Sequence, residues 1–362
     1  MNKQLESINI IAFIINGVLS IRLLTLPREI GEHAKNNGWM SVLLMGAYIF
    51  FVGYVFFWVG TKHKDLTFSQ ICEKVLGKFI GKIVILGIGV YTIVSVGLGL
   101  RIFGDAIQIY LLDKTPLIVT MSIMLLACSY CILKGVKTIS IILDILLPLI
   151  LVSIIILIIL SFSNIDIMNL RPVFHGGITP VAKGALEIAD PFLTVGIIGY
   201  ILPFFKDFKK MKKWIFISIS ICIVIYMIVV LICILSFGSE ELNFLLFPTI
   251  TLAKSIRMEV KILERAESLF MAAWVPITFT TLLLFYLAST LNLKALFNTK
   301  KDYFLILSQI PLFFIIALYP SNISEVFKFM GWNEKIGQIL IFVIVPVMMI
   351  AQLIRERRVK AK

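Results

Sequence analysis

The chain has 362 residues, of which 59% are hydrophobic and only 15% are charged, and its mean hydropathy is +1.00. A soluble globular domain is about half apolar and about a quarter charged, so this composition excludes an ordinary soluble protein. The net charge of +13 does not indicate nucleic-acid binding, because the basic residues are concentrated in alternate connections between apolar segments, most densely in Lys206–Lys213. This bias predicts cytoplasmic termini and contact with anionic lipid.

Ten uncharged apolar segments follow one another along the chain, and most exceed the length that spans a bilayer. Their apolar runs are continuous rather than alternating, so we predict helices rather than a closed barrel. The fold class is therefore an all-α polytopic membrane protein forming one integral domain over residues 1–362. The predicted spans are about 8–27, 39–61, 83–110, 115–133, 140–162, 187–205, 214–238, 268–293, 303–320 and 336–354.

Two connections between the spans show patterns of their own. Residues 62–82 place Phe68, Ile71 and Val75 among lysines, which predicts an amphipathic helix on the cytoplasmic surface. The longest outer connection contains Pro248, where we predict the start of a short helix. We also predict a short outer loop at Arg28–Gly38 between the first two spans.

The first and sixth segments are both short, with uncharged stretches at Ser7–Ile21 and Pro191–Phe205. Each contains glycine and ends near a proline, Pro27 or Pro203. If ten spans are divided five plus five, these two segments are the first members of the two halves. A matched pair of interrupted spans indicates a binding site near the midplane of an inverted-repeat transporter.

In the first segment we predict a break around Asn16, Gly17 and Ser20. Half-helix ends there would offer partial charges and freed backbone groups to a ligand. The alternative is that Gly17 only permits close helix packing.

The sixth segment would supply the other wall of the site. Thr194, Gly196, Gly199 and Tyr200 surround the break that we predict in it. Polar atoms and freed backbone groups at these positions would face those of the first segment.

Charged residues in or beside the spans have two or more interpretations. Glu187 and Asp190 either attract an amino group or gate the site, or they are interface residues with Asp190 capping a helix. Arg101 and Asp105 are spaced i,i+4, which predicts an ion pair serving as a clamp or gate. Arg22 either faces the cavity, binds a carboxylate, or pairs with a neighbouring helix, for example at Asp105.

Enzyme motifs are not found in the sequence, and we predict no catalytic residue, cofactor or metal. Cys128 and Cys131 have the CxxC spacing but lie in an apolar span without a second ligand pair, so packing thiols are favoured over a metal or redox site.

Several short motifs together resemble the GerAB/GerKB family, the integral-membrane B subunits of spore germinant receptors. The motifs are the glycine of the first span followed by Leu26-Pro27, then Phe247-Pro248-Thr249, then Glu264-Arg265 with Glu267 and Trp274. The resemblance covers essentially the whole chain. It implies the amino acid–polyamine–organocation superfamily and a LeuT-type five-plus-five fold with discontinuous helices 1 and 6.

The resemblance further implies a small-molecule pocket between spans one, three, six and eight. By that analogy the pocket would be lined by Gly17, Ser20, Thr194, Gly196 and Gly199. It also implies an A subunit and a lipoprotein C subunit as partners in the inner spore membrane. Transporters of the superfamily often begin the first break with Gly-x-Gly, whereas this chain has a single glycine, which favours ligand binding over transport.

We therefore predict a receptor subunit that binds a small germinant, an amino acid above all, and signals with its partners. The alternatives are an amino acid or polyamine transporter coupled to protons or sodium, and an ion or dipicolinate conduit. The residues predicted to bind ligand are Asn16, Gly17, Ser20, Arg22, Arg101, Asp105, Glu187, Thr194, Gly196, Gly199 and Tyr200.

Overall fold

A computed structural model describes residues 5–64, 66–162, 165–174, 176–255, 266–299 and 302–360. Helices make up nearly all of these residues. The α-helices are α1 (Ile10–Val18), α2 (Leu26–Ala34), α3 (Gly38–Lys62), α4 (Phe68–Leu76), α5 (Lys78–Tyr110), α6 (Leu117–Lys134), α7 (Val136–Ser161), α8 (Ile178–Glu187), α9 (Ala189–Leu193), α10 (Ile197–Ile201), α11 (Met211–Leu242), α12 (Pro248–Ser255), α13 (Ala266–Phe297), α14 (Asp302–Leu318), α15 (Ile323–Ile339) and α16 (Val345–Lys360).

Seven helices in the described residues are long and apolar enough to cross a membrane, and one bent pair brings the number to eight. Two shorter apolar helices, Ser7–Val18 and Asp302–Leu318, accompany them. Each predicted span overlaps one of these helices, while the count of ten spans remains a prediction. The last one begins at Ile323 rather than at residue 336, because it continues through charged residues that end the uncharged segment.

The first span is broken, as predicted, but the break begins after α1 ends at Val18. Leu19 and Ser20 are extended, a 3-10 turn covers Ile21–Leu23, and α2 then continues. The predicted outer loop at Arg28–Gly38 is therefore wrong. Proline is well placed in the first turn of a helix, and Pro27 lies in the first turn of α2 rather than ending a span.

The carbonyl groups freed at this break are bonded by side chains from three other helices. The Tyr226 hydroxyl donates to Val18 O at 2.8 Å, and the Thr249 hydroxyl donates to Leu23 O at 2.6 Å. Thr280 on α13 donates to Asn16 O at 3.3 Å. A helix break at membrane depth requires such partners, so α11, α12 and α13 hold the broken span open.

The sixth element is bent by 53° between α8 and residues 189–204. The α-helix is also interrupted within the predicted range, because the 3-10 turn Thr194–Gly196 separates α9 from α10. The main bend, which lies before that range, was not predicted. Proline has no N–H and clashes with the carbonyl four residues earlier. Pro191 therefore cannot continue the hydrogen bonding of Glu187, and the helix bends there.

The two broken elements lie side by side. A Cβ atom added at Gly17 would lie 3.2 Å from Thr194 Cβ, so this glycine allows α1 to approach the sixth element closely. At the lysine-rich end, the Leu5 backbone pairs with the chain at Phe205 in a short parallel bridge. The interrupted segments thus form one unit at the centre of the fold.

The predicted amphipathic helix and the predicted helix at Pro248 are present as α4 and α12. The apolar face of α4 is buried, and its Phe68 ring lies 4.9 Å from the Tyr200 ring. A Cβ atom at Gly199 would lie only 2.6 Å from Phe68 Cδ2, so α4 packs against the sixth element rather than only resting on the membrane surface.

Candidate functional site

A small polar cavity of about 40 Å³ lies at the break of the first span. The break brings Ser20 and Arg22 to it, and α5, the bend of the sixth element, α13 and α15 supply the remaining walls. The polar side chains that line it are Ser20, Arg22, Ser95, Asp190, Thr281 and Asn333.

Arg22 is the centre of a buried ion cluster beside this cavity. Its guanidinium lies 2.8 Å from Glu29 Oε1 and 3.2 Å from Asp190 Oδ2, and it also contacts Glu334. The four side chains are only 6–16% exposed. One guanidinium therefore joins α2, the bend of the sixth element and α15 through three carboxylates.

The cluster continues into a hydrogen-bonded chain on α5 and α15. The Tyr91 hydroxyl donates to Asp190 Oδ1 at 2.6 Å. Asn333 Nδ2 donates to Ser95 Oγ at 2.8 Å, and the Ser95 hydroxyl donates to Tyr91 O at 2.8 Å. Because both oxygens of Asp190 are held, its orientation toward the cavity is fixed.

An apolar cavity of about 70 Å³ lies next to the polar one, and Phe285 lines both. Its polar lining is limited to hydroxyl groups, and the Tyr200 hydroxyl donates to Asn292 Oδ1 at 2.9 Å. Side chains from several elements form the apolar walls, for example Val52, Phe68, Ile88, Leu193, Phe285 and Met348.

A π-helical turn, Leu340–Ile344, forms one wall of the apolar cavity. The Tyr48 hydroxyl donates to Ile341 O at 2.8 Å, and the Tyr48 and Phe342 rings stack at 4.8 Å. Single π turns inside helices occur frequently at functional sites, so the irregular turn marks this cavity as a candidate site.

The predicted site residues fall into three groups. Ser20 and Arg22 line the polar cavity, whereas Thr194, Gly196 and Tyr200 line the apolar one. The remaining six lie elsewhere: Asn16, Gly17, Gly199, Glu187, Arg101 and Asp105 are absent from the walls of both cavities.

Helix packing accounts for two of these six, since Gly17 and Gly199 allow close approach. Asn16 Nδ2 donates to Ala12 O and Leu143 O at 2.8 and 3.2 Å, which joins α1 to α7. Glu187 Oε1 lies 3.3 Å from His33 Nε2.

Arg101 and Asp105 form the predicted pair, with the Arg101 Nε donating to both carboxylate oxygens at 3.0 Å. Arg101 Nη1 also donates to Ala317 O and Pro320 O at 3.1 and 2.9 Å. The pair therefore clamps α5 to the end of α14. Asp105 is not the partner of Arg22, which corrects that possibility for Arg22.

Asp190 is not the helix cap that one interpretation gave it. It lies in the first turn of α9 and bonds to Tyr91 and Arg22 rather than to a backbone N–H. Glu29, Asn333 and Glu334 were not among the residues predicted to bind ligand. The polar pair Asn333-Glu334, which lies between the apolar residues 329–332 and the last predicted span, was the only sign in the sequence of a polar site there.

Residues 4–326 match the family model described as "Spore germination protein". Relatives include spore germination protein A2 of Bacillus subtilis (strain 168), 25% identical over 99% of this chain and 98% of its own. Spore germination protein B2 of the same organism is 28% identical over 85% of this chain and 84% of its own.

Solved structures show the same fold. MhsT in complex with L-phenylalanine superposes with a TM-score of 0.71 at 12% identity, over 98% of this chain and 99% of that one. A manganese transporter of Eremococcus coleocola gives a TM-score of 0.61 at 13% identity, over 94% of this chain and 76% of that one. This confirms the predicted LeuT-type helical fold. With its multi-pass helices and nearly full-length family match, the chain belongs to the spore germination protein family of permease-like membrane proteins.

Proposed function

We propose that this chain is the ligand-binding membrane subunit of a spore germinant receptor. The germinant is a small amino acid that occupies the polar cavity between the two broken elements and the apolar cavity beside it. The observation that carries this proposal is the Arg22 ion cluster, which borders the polar cavity and joins three separate helical segments.

The cavities have the composition expected of a small-molecule site, with mostly apolar walls and a few convergent polar groups. The polar cavity lies beside the breaks at Leu19–Ser20 and Ile188, where the backbone is already interrupted, and this supports the proposal. Predicted pocket residues Ser20, Arg22 and Thr194 lie at these walls.

A ligand produces a signal only if it binds one arrangement of the protein better than another. In the structure Arg22 holds α2, Asp190 and Glu334 together, and the second arrangement that we infer has these three segments apart. A ligand that alters this grouping shifts α15 relative to α2. The readers of that shift are an A subunit and a lipoprotein C subunit in the inner spore membrane, with the termini of this chain cytoplasmic.

The test fills the apolar cavity without changing charge. Ala288 lines that cavity, and Ala288→Leu adds three carbon atoms to a space of about 70 Å³. Ala127→Leu on the exposed side of α6 is the matched control. Spores of a deletion strain carrying each variant are exposed to a panel of amino acids, and germination is followed by loss of optical density.

The expected result is that Ala288→Leu abolishes or shifts the amino acid response while Ala127→Leu leaves it unchanged, with equal amounts of both variants in the spore membrane. A normal response of Ala288→Leu spores to every amino acid would refute the cavity as the germinant site. Loss of the response in the control as well would show that the readout reports insertion rather than binding.

A further inference from the structure

We propose that the polar cavity binds a primary ammonium group, held by Asp190 and the side-chain oxygen of Asn333. This inference rests on the proposed function and names which end of the germinant enters the polar cavity. It starts from the charge of the cluster. Arg22 supplies one positive charge to the three carboxylates of Glu29, Asp190 and Glu334, which leaves an excess of two negative charges.

Neighbouring charges do not offset that excess. Arg28 is 3.6 Å from Glu32 and lies over the Phe327 ring at 4.6 Å. Glu187 adds a further carboxylate on the same side and pairs with His33. Because unbalanced charge is costly in a site shielded from water, the cluster attracts a cation.

The oxygen of Asn333 is a second, independent observation. Asn333 is only 6% exposed, lines the polar cavity, and has no partner for Oδ1. The orientation of its amide is determined by the network. The Ser95 hydroxyl donates its one hydrogen to Tyr91 O and must therefore accept from Asn333 Nδ2, which leaves the amide oxygen free to accept.

Asp190 also retains acceptor capacity. Each of its oxygens accepts one hydrogen bond, from Tyr91 or from Arg22, while a carboxylate offers about four lone-pair positions. An ammonium group has three N–H donors and no acceptor. It therefore matches the unused acceptor positions of Asp190 and Asn333 in this cavity.

The size of the cavity fits a head group of this kind. Its volume is about 40 Å³, and one water-sized group requires about 10–15 Å³ on this measure. An amine with two carbon atoms fills it.

The experiment measures thermal unfolding of the purified full chain in detergent by tryptophan fluorescence. The probes are ethylamine, which is alanine without its carboxylate, propionate, which is alanine without its amino group, and KCl. Each is used at neutral pH, where ethylamine is positively charged. Ionic strength is held constant with N-methylglucamine chloride. A ligand that binds the folded state raises the midpoint in proportion to its saturation of the site.

We expect ethylamine to raise the midpoint and propionate to leave it unchanged. Glu334→Gln and Asn333→Leu should each weaken the apparent ethylamine affinity about tenfold, through lost field and a lost charge-assisted hydrogen bond respectively. Asn333→Asp should strengthen it. The control is Asp302→Asn, which removes an exposed carboxylate that pairs with Lys294.

Stabilisation by propionate, or by KCl but not ethylamine, would overturn the assignment. So would equal ethylamine responses in the wild-type chain and Asn333→Leu. If Glu334→Gln does not fold, the comparison of ethylamine with propionate on the wild-type chain still decides. A spore germination response that persists without an ethylamine effect would refute this inference and leave the proposed function standing.

Discussion

Replacing Arg22 by methionine removes the cation that pairs with Glu29, Asp190 and Glu334, and no other described residue forms an ion pair with any of the three. Methionine retains an unbranched apolar stem of similar length, so the change acts mainly on charge. The three carboxylates stay buried between α2, the bend of the sixth element and α15 without a partner of opposite charge.

The expected cost follows from the number and burial of these contacts. Removing one partner of a single buried ion pair costs about 3–5 kcal/mol. Arg22 serves three carboxylates that are each at most 16% exposed, so the loss for Arg22→Met should reach the upper end, about 5 kcal/mol. Adding Glu334→Gln to Arg22→Met should recover at least about 1 kcal/mol through the lost repulsion.

The assay is reversible unfolding of the purified chain in mixed micelles, followed by tryptophan fluorescence. Arg101→Met is the matched comparison, because Arg101 faces one carboxylate and two backbone carbonyls. We expect its loss to be smaller than that of Arg22→Met. A cost below about 1 kcal/mol for Arg22→Met, or no interaction energy with Glu334→Gln, would show that the cluster is not a coupled unit.

Two further substitutions test the packing around the breaks. Gly199→Leu forces a side chain into the Phe68 ring of α4 and should abolish the germinant response in spore germination assays while the protein still inserts into the membrane. Gly87→Leu, at a position with open space, is the control. A normal response of the Gly199 variant would contradict the packing argument. Tyr226→Phe removes the donor to Val18 O and should lower the free energy of unfolding by about 1–3 kcal/mol. Tyr130→Phe, on an exposed face, should leave it unchanged. Equal effects of the two would show that the Tyr226 hydroxyl does not stabilise the break.

The overall arrangement was predictable because the bilayer constrains the sequence strongly. Uncharged runs identify helices, and two short interrupted runs identified the paired broken elements that the structure shows side by side. The position of the second bend was less accessible. Gly196 and Gly199 placed the predicted break at residues 194–200, where the structure has the 3-10 turn Thr194–Gly196. The larger bend at Glu187–Ala189 is set by Pro191, which removes a specific backbone hydrogen bond.

The candidate site could be predicted only in part. Ser20, Arg22, Thr194, Gly196 and Tyr200 were identified because the breaks and the intramembrane charge are visible locally. Asn333 and Glu334 were missed because each span was predicted from an uncharged segment. The last span was therefore predicted to begin at residue 336, after both of them. Their partners lie far away along the chain, and pairing at that separation leaves no periodic signal in a single sequence.

The backbone pairing of Leu5 has a mechanical consequence. Its amide donates to Phe204 O at 3.0 Å, and the Lys206 amide donates to Leu5 O at 3.0 Å. These two hydrogen bonds connect the segment before α1 to the end of the sixth element. A transporter that releases solute on that side must break this backbone pairing once per transport cycle, whereas a receptor can keep it intact. A disulfide engineered between positions 5 and 205 would therefore stop transport if the chain is a transporter, and would leave the germinant response intact if it is a receptor.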